Sequence, residues 1–217
     1  MNVLINGCSH TEASECDKGL KHFLQENLNA DVTNIAKGGG GNHRILRTTM
    51  EYCENNTVDL VFIGWSTHER FEFSFDNERK DYTLYKQSEN EDLQKFYRYA
   101  DLHLADWQTG LEDTVTYMYA LQTYLENKNI DYVFCNMFNS IPEDCQIPLW
   151  DSIDTSKYYK PQESFIETYL DIWPDSFSET MHIKDEKLYN TMFWLSRCWC
   201  LYATGLPNRV CWTFRTL

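Results

Sequence analysis

The stretch of sequence that decides the fold is NVLINGCSHTE, from Asn2 to Glu12. It begins with a short apolar run, which is typical of a strand buried on both faces of a parallel sheet. Gly7 permits a sharp turn after that strand, and Ser9 with Glu12 three residues later predicts the capping box of a helix. We therefore expect the Ser9 hydroxyl at the carboxyl edge of a sheet, where open α/β sheets bind ligands. The alternative is that Ser9 only caps a helix.

The rest of the chain alternates between predicted strands and helices. Apolar runs predict strands at about 32–36, 60–65 and 132–137. Helical spacing of apolar residues predicts helices at about 20–24, 46–53, 92–105 and 111–125. Parallel strands need crossover connections, which are right-handed and usually helical, so this order predicts an α/β fold. We expect a three-layer α/β/α sandwich with a mostly parallel, flavodoxin-like sheet of about five strands.

Length and composition suit one domain over residues 1–217, with an ordinary hydrophobic fraction of 42%. Aromatic and polar residues alternate from Phe71 to Lys86 around Asp76-Asn77. This pattern predicts an inserted hairpin or long loop, at about 71–90, that overhangs the site.

Charge and cysteine usage limit the possible partners. The net charge of −14 opposes a phosphate backbone, so nucleic acid is not an expected partner. The apolar runs are far shorter than the roughly 18 residues of a membrane span, and the first residues do not resemble a signal peptide, so we expect a cytoplasmic protein without a membrane partner. Cys8, Cys53 and Cys135 fall inside predicted core elements, which indicates free thiols. Without a C-x-x-C pair, no metal site is predicted.

Two sequence blocks resemble those of the SGNH (GDSL-type) hydrolases. Gly7-Cys8-Ser9-His10-Thr11 resembles the first block, G-D-S-x-[TS], with cysteine in place of the aspartate. Residues 34–39, NIAKGG, match the second block, N-x-[AS]-x-x-G. Residues 40–45 and 59–66 resemble segments of SGNH-like proteins of large marine bacteriophages. The resemblance covers roughly the first third of the chain.

The resemblance implies an esterase or deacetylase that acts on a small ester or an acetylated glycan through a Ser9 acyl-enzyme, without a cofactor. In this family the catalytic base comes late, in a D-x-x-H motif. The corresponding residues here are His182 as the base and Glu179 as the acid, or Asp175 if the register differs. His10 adjoins Ser9, but we expect its ring to point away from the hydroxyl.

The resemblance also implies an oxyanion hole. The family supplies the backbone N–H of the nucleophile, here Ser9, and that of the second-block glycine, here Gly39. Its third donor is an asparagine amide two residues after a glycine. At that position this chain has Ser66, after Gly64, so the third donor is either the Ser66 hydroxyl or Asn42.

Departures from the family pattern leave other interpretations open. The changed residues Cys8 and Ser66 favour a catalytically weakened binding module for a glycan or a virion or host protein. The four glycines from Gly38 to Gly41 could instead bind phosphate, although no G-K-[ST] follows. Cys8 is an alternative nucleophile, since a helix N-terminus can lower a thiol pKa. After His182 the family's closing histidine motifs are missing, so about 187–217 is an atypical tail.

Overall fold

The structure is a computed structural model that describes residues 1–13, 15–170 and 175. In this part of the chain the strands are β1 (Asn2–Gly7), β2 (Asp31–Asn34), β3 (Leu60–Trp65), β4 (Glu72–Phe75), β5 (Glu78–Asp81), β6 (Asp131–Asn136) and β7 (Tyr158–Tyr159). The α-helices are α1 (Ser9–Glu12), α2 (Leu20–Leu28), α3 (Asn42–Asn55), α4 (Glu91–His103), α5 (Trp107–Asn127) and α6 (Phe165–Leu170). None of these helices has the length and apolar content needed to cross a membrane. The predicted alternation of strands and helices is confirmed.

The central sheet has five strands in the order β2-β1-β3-β6-β7, and every neighbouring pair is parallel. Without the β4–β5 hairpin, this is the 2-1-3-4-5 order of flavodoxin-like sheets. All six residues of β3 are buried, because helices cover the sheet on both faces. The predicted α/β/α sandwich is confirmed.

The sheet separates two hydrophobic cores. Alternate residues of each strand point to opposite faces, so Val3 and Ile5 pack on the α2 side whereas Leu4 packs on the α3 and α5 side. The second core is the larger and includes the buried face of α5, with Leu111, Val115, Met118, Leu121 and Leu125. These are the apolar positions whose helical spacing predicted the helix.

The inserted segment forms an antiparallel hairpin of β4 and β5. Its turn residues Asp76 and Asn77 have φ angles of 51° and 61°, the left-handed conformation that a two-residue type I′ turn requires at both positions. Arg47 of α3 anchors the hairpin, since its Nε and Nη2 donate to the carboxylate of Glu72 at 3.0 and 2.7 Å. The hairpin therefore lies against α3. Asp81 at the end of β5 forms a salt bridge at 2.8 Å with Lys37, the residue before the glycine loop Gly38–Gly41.

A pair of glycines lets α1 lie directly on the sheet. Gly7 of β1 and Gly64 of β3 are opposite each other in register. A Cβ atom at either position would lie 2.3 Å from Oγ1 of Thr11, which is fully buried. Only a residue without a side chain leaves room for α1 here, so this contact fixes how Ser9 approaches the sheet edge.

We expect Gly7→Ala and Gly64→Ala each to lower the free energy of unfolding by about 1–3 kcal/mol, because overpacking forces neighbouring atoms to move. Adding Thr11→Ala should recover much of the loss at Gly64, where the new Cβ would meet the side chains of Thr11 and Met137. Recovery at Gly7 should be small, because the carbonyl oxygen of Gly64 would remain 2.7 Å from the new Cβ. Urea denaturation of the single and double variants measures this coupling. Equal recovery at both positions would contradict this explanation.

Candidate active site

Ser9 is the first residue of α1 and directly follows the β1 turn. The N-cap is Cys8, with an extended backbone (φ −97°, ψ −163°), and no side chain caps this helix. The predicted capping box of Ser9 and Glu12 is therefore wrong, because the Glu12 carboxylate instead accepts the Gly38 N–H at 2.7 Å. The Ser9 backbone N–H lies in the first helical turn, whose N–H groups have no partner within the helix. That N–H is thus placed to act as a donor to a ligand.

The glycine loop lies beside Ser9. A Cβ atom on Gly38 would be 3.8 Å from the Cβ of Ser9. The Asn34 side chain holds the loop in place, donating to the Thr11 carbonyl at 3.0 Å and accepting the Ala36 N–H at 3.0 Å. The next residue, Gly39, has a φ angle of 74°, a conformation that favours glycine. The structure thus brings together Ser9 and the loop that carries Gly39.

Asn42 and Ser66 form a buried polar contact at the end of β3. The Asn42 amide nitrogen donates to the Ser66 carbonyl at 3.2 Å and to Oγ1 of Thr114 at 2.9 Å, while its oxygen accepts the Ser66 N–H at 2.7 Å. Both amide hydrogens are therefore engaged within the protein. The Ser66 hydroxyl accepts a hydrogen bond from Nη1 of Arg70 at 2.9 Å, which leaves its own hydrogen available to another acceptor. Of the two expected third donors, this geometry favours Ser66.

Cys8 is fully buried. Burial raises the pKa of its thiol, and the positive charge of Arg70 opposes this effect only in part. A cysteine nucleophile reacts as the thiolate. The raised pKa argues against the alternative in which Cys8 attacks the substrate.

The predicted base and acid, His182 and Glu179, lie outside the described residues. The alternative acid, Asp175, is described and is exposed. The pairing of either acid with His182 therefore stays a prediction.

Two histidines near the site are buried. The His10 ring packs edge-on against Phe138, with the ring centroids 4.7 Å apart. His68 packs against Trp107, and its Nδ1 lies 3.3 Å from Oγ1 of Thr114. Burial lowers the pKa of His68, which favours the neutral imidazole near pH 7. In the described part of the chain, both rings pack against aromatic side chains.

Sequence reasoning gave Arg70 and Phe138 no role, but both lie at the carboxyl edge of the sheet. The guanidinium carbon of Arg70 lies 4.7 Å from the centre of the Phe138 ring. The same ring contacts His10, the neighbour of Ser9. Ser9, Ser66 and Phe138 each come within two residues of the end of a neighbouring parallel strand. A position directly after a predicted strand is the sequence signal that could have identified Phe138.

The glycine loop is poorly suited to phosphate. The Gly38 N–H donates to the Glu12 carboxylate, and the Gly40 N–H donates to the Lys37 carbonyl at 3.0 Å. A carboxylate beside the loop would repel a phosphate, and these N–H groups already have acceptors.

No group of three or more His, Cys, Asp and Glu side chains within residues 1–13, 15–170 and 175 could hold a metal ion.

Solved structures with a similar fold include several esterases. A putative lipolytic protein of the G-D-S-L family from Desulfitobacterium hafniense is 11% identical, with a TM-score of 0.56 over 91% of this chain and 98% of that one. The psychrotrophic esterase EstA from Pseudoalteromonas sp., inhibited by monoethylphosphonate, is 14% identical, with a TM-score of 0.54 over 92% and 98%. The acetyl xylan esterase AlAXEase is 15% identical, with a TM-score of 0.54 over 92% and 98%. At these identities the similarity shows a shared fold.

Sequence comparison identifies one family. No curated protein matches the chain. Residues 11–163, well over half of the chain, match a family described as a family of unknown function, DUF6071. The chain therefore belongs to DUF6071, and its fold is that of the GDSL-type lipolytic proteins and esterases.

Proposed function

We propose that this protein is an SGNH-type serine hydrolase, an esterase or deacetylase that cleaves a small ester or an acetylated glycan through a Ser9 acyl-enzyme. The observation that carries the proposal is the position of Ser9, at the start of α1 and beside the Gly38 loop, 3.8 Å away between the Ser9 Cβ and a Cβ built on Gly38. An esterase and an acetyl xylan esterase among the proteins of similar fold support this substrate class.

In the proposed reaction, Oγ of Ser9 attacks the ester carbonyl carbon, and its proton passes to the His182 imidazole. Glu179 or Asp175 orients that imidazole. The backbone N–H groups of Ser9 and Gly39 and the Ser66 hydroxyl donate to the oxyanion that forms. The bond from carbon to the alcohol oxygen then breaks as His182 returns the proton to the leaving alcohol. Water hydrolyses the acyl-enzyme by the reverse proton transfers.

A second candidate is a catalytically weakened binding module on the same fold. Two departures from the SGNH pattern favour it. This chain has cysteine at position 8, where SGNH hydrolases have aspartate, and serine at position 66, where they have asparagine. The binding module and the enzyme differ in one measurable property, which is the reactivity of Ser9.

We expect a fluorophosphonate probe to label Ser9, because such probes react with an activated serine hydroxyl. Ser9→Ala should abolish both labelling and the hydrolysis of 4-nitrophenyl acetate while leaving the thermal midpoint nearly unchanged. Mass spectrometry of the labelled peptide identifies the residue. Ser74→Ala, at an exposed position of β4, is the matched control and should keep full labelling. Labelling at another residue, or full activity in Ser9→Ala, would refute the serine mechanism.

We expect Ser66→Ala to slow the labelling of Ser9 by about 10²–10³-fold, the usual effect of removing one oxyanion donor. The substitution removes the hydroxyl and keeps the backbone contacts with Asn42. Labelling reactions stopped at successive times give the rate of probe labelling, with Ser74→Ala again as the control. An unchanged rate would remove Ser66 from the oxyanion hole.

We expect hydrolysis to fall about tenfold per pH unit below roughly pH 6.5, the ordinary pKa of histidine, because only the neutral imidazole of His182 can accept the Ser9 proton. His182→Gln should lower kcat strongly and remove this dependence. The pH profile of kcat/KM for both proteins provides the measurement. If His182→Gln retained the wild-type profile, another group would have to be the base.

A further inference from the structure

The charge of Arg70 has no carboxylate partner among the described residues. Its side chain is half-buried, and Nη1 donates to the uncharged hydroxyl of Ser66 at 2.9 Å. Burial lowers the pKa of Arg70, which reflects a charged group held partly away from water. By contrast, Arg47 makes salt bridges to Glu51 and Glu72.

The acidic groups that act on Arg70 at longer range are engaged elsewhere. Glu69 accepts a hydrogen bond from Oγ1 of Thr67, and Asp81 forms a salt bridge with Lys37 at 2.8 Å. Burial lowers the pKa of Arg70, and the smaller opposing effects come from Cys8 first and then from Glu69 and Asp81. Among the described residues Arg70 is therefore a partly buried cation without a carboxylate partner, an arrangement that costs free energy, and we expect a ligand to supply a negative charge.

Arg70 is also held in a fixed orientation at the candidate site. Its guanidinium lies over the Phe138 ring, 4.7 Å from the ring centre, and bonds to Ser66 at the end of β3. The Phe138 ring also contacts His10, which is adjacent to Ser9 in the chain. The planar guanidinium thus lies between the ends of β3 and β6, at the edge of the sheet where Ser9 follows β1.

We propose that Arg70 binds an anionic group of the substrate, so that the preferred ester carries a carboxylate or a similar oxyanion near the bond that is cleaved. This inference rests on the proposed hydrolase function and adds the charge of the substrate to it. A guanidinium can present two parallel N–H groups to such an anion. Lysine would provide the charge without that geometry.

The test compares kcat/KM for 4-acetoxybenzoate and its uncharged analogue 4-acetoxybenzamide. Arg70→Met should lower kcat/KM for the benzoate about ten- to a hundredfold more than for the benzamide, the usual effect of one charged hydrogen bond. Arg70→Lys keeps the charge and should retain part of the preference. Arg98→Met, at an exposed position of α4, is the matched control for loss of an arginine and should keep the wild-type ratio.

A different result would overturn the proposal. If Arg70 acted only by orienting Ser66, then Arg70→Met would lower kcat/KM for the benzoate and for the benzamide by the same factor. Ser66→Ala would likewise affect the two esters equally. 4-Acetoxybenzenesulfonate, measured in parallel, distinguishes a carboxylate site from one for a tetrahedral anion, and equal rates for all three esters would exclude anion recognition.

A binding measurement separates this inference from the proposed function. In the Ser9→Ala protein, calorimetric titration should give at least tenfold tighter binding of 4-acetoxybenzoate than of 4-acetoxybenzamide, and Arg70→Met in that background should remove the difference. If wild type hydrolyses none of the esters but this difference holds, the hydrolase proposal fails and Arg70 still binds the anion. Equal affinities would overturn the role of Arg70 itself.

Discussion

The packing of Thr11 on the paired glycines Gly7 and Gly64 is the contact on which the site depends. The two glycines are opposite each other in β1 and β3, and Oγ1 of Thr11 occupies the space that a Cβ atom would take. Because α1 is only four residues long, it has little stability of its own and relies on this contact. The direction of Ser9 is therefore set by the sheet beneath it.

Buried asparagines then link the strand ends to the surrounding elements. The amide nitrogen of Asn6, at the end of β1, donates to the Ile45 carbonyl at 3.1 Å and to the Thr49 hydroxyl at 2.9 Å, which ties β1 to α3. Asn136, at the end of β6, donates to the Pro161 carbonyl at 2.7 Å. With Asn42, these side chains bond to backbone groups of the elements that surround the ends of β1, β3 and β6. The edge of the sheet is thereby held in one arrangement before any ligand binds.

Local patterns were sufficient for most of the elements and for the position of Ser9, but not for the short strand β7 or for α6. The apolar run before Gly7 predicted β1, the spacing from Leu111 to Leu125 predicted α5, and Asp76-Asn77 predicted the hairpin turn. Strand order also followed, since parallel strands joined by helices allow few topologies. The prediction failed at the cap of α1, because Glu12 bonds to Gly38, a residue that lies far from it in the sequence.

Interactions between distant residues decided the rest. Whether Asn42 or Ser66 is free to donate depends on Thr114, 72 residues after Asn42, because Thr114 accepts one of the Asn42 amide hydrogens. The thiol of Cys8 has a raised pKa because the folded core buries it. Arg70 is held by Ser66, four residues before it, and by Phe138, which follows a different strand. The sequence by itself determined the α/β fold and the placement of Ser9 after β1, because these depend on short-range periodicity and turn chemistry. The tertiary structure decided which polar groups remain free to meet a substrate, because hydrogen bonds and burial between distant segments set their availability.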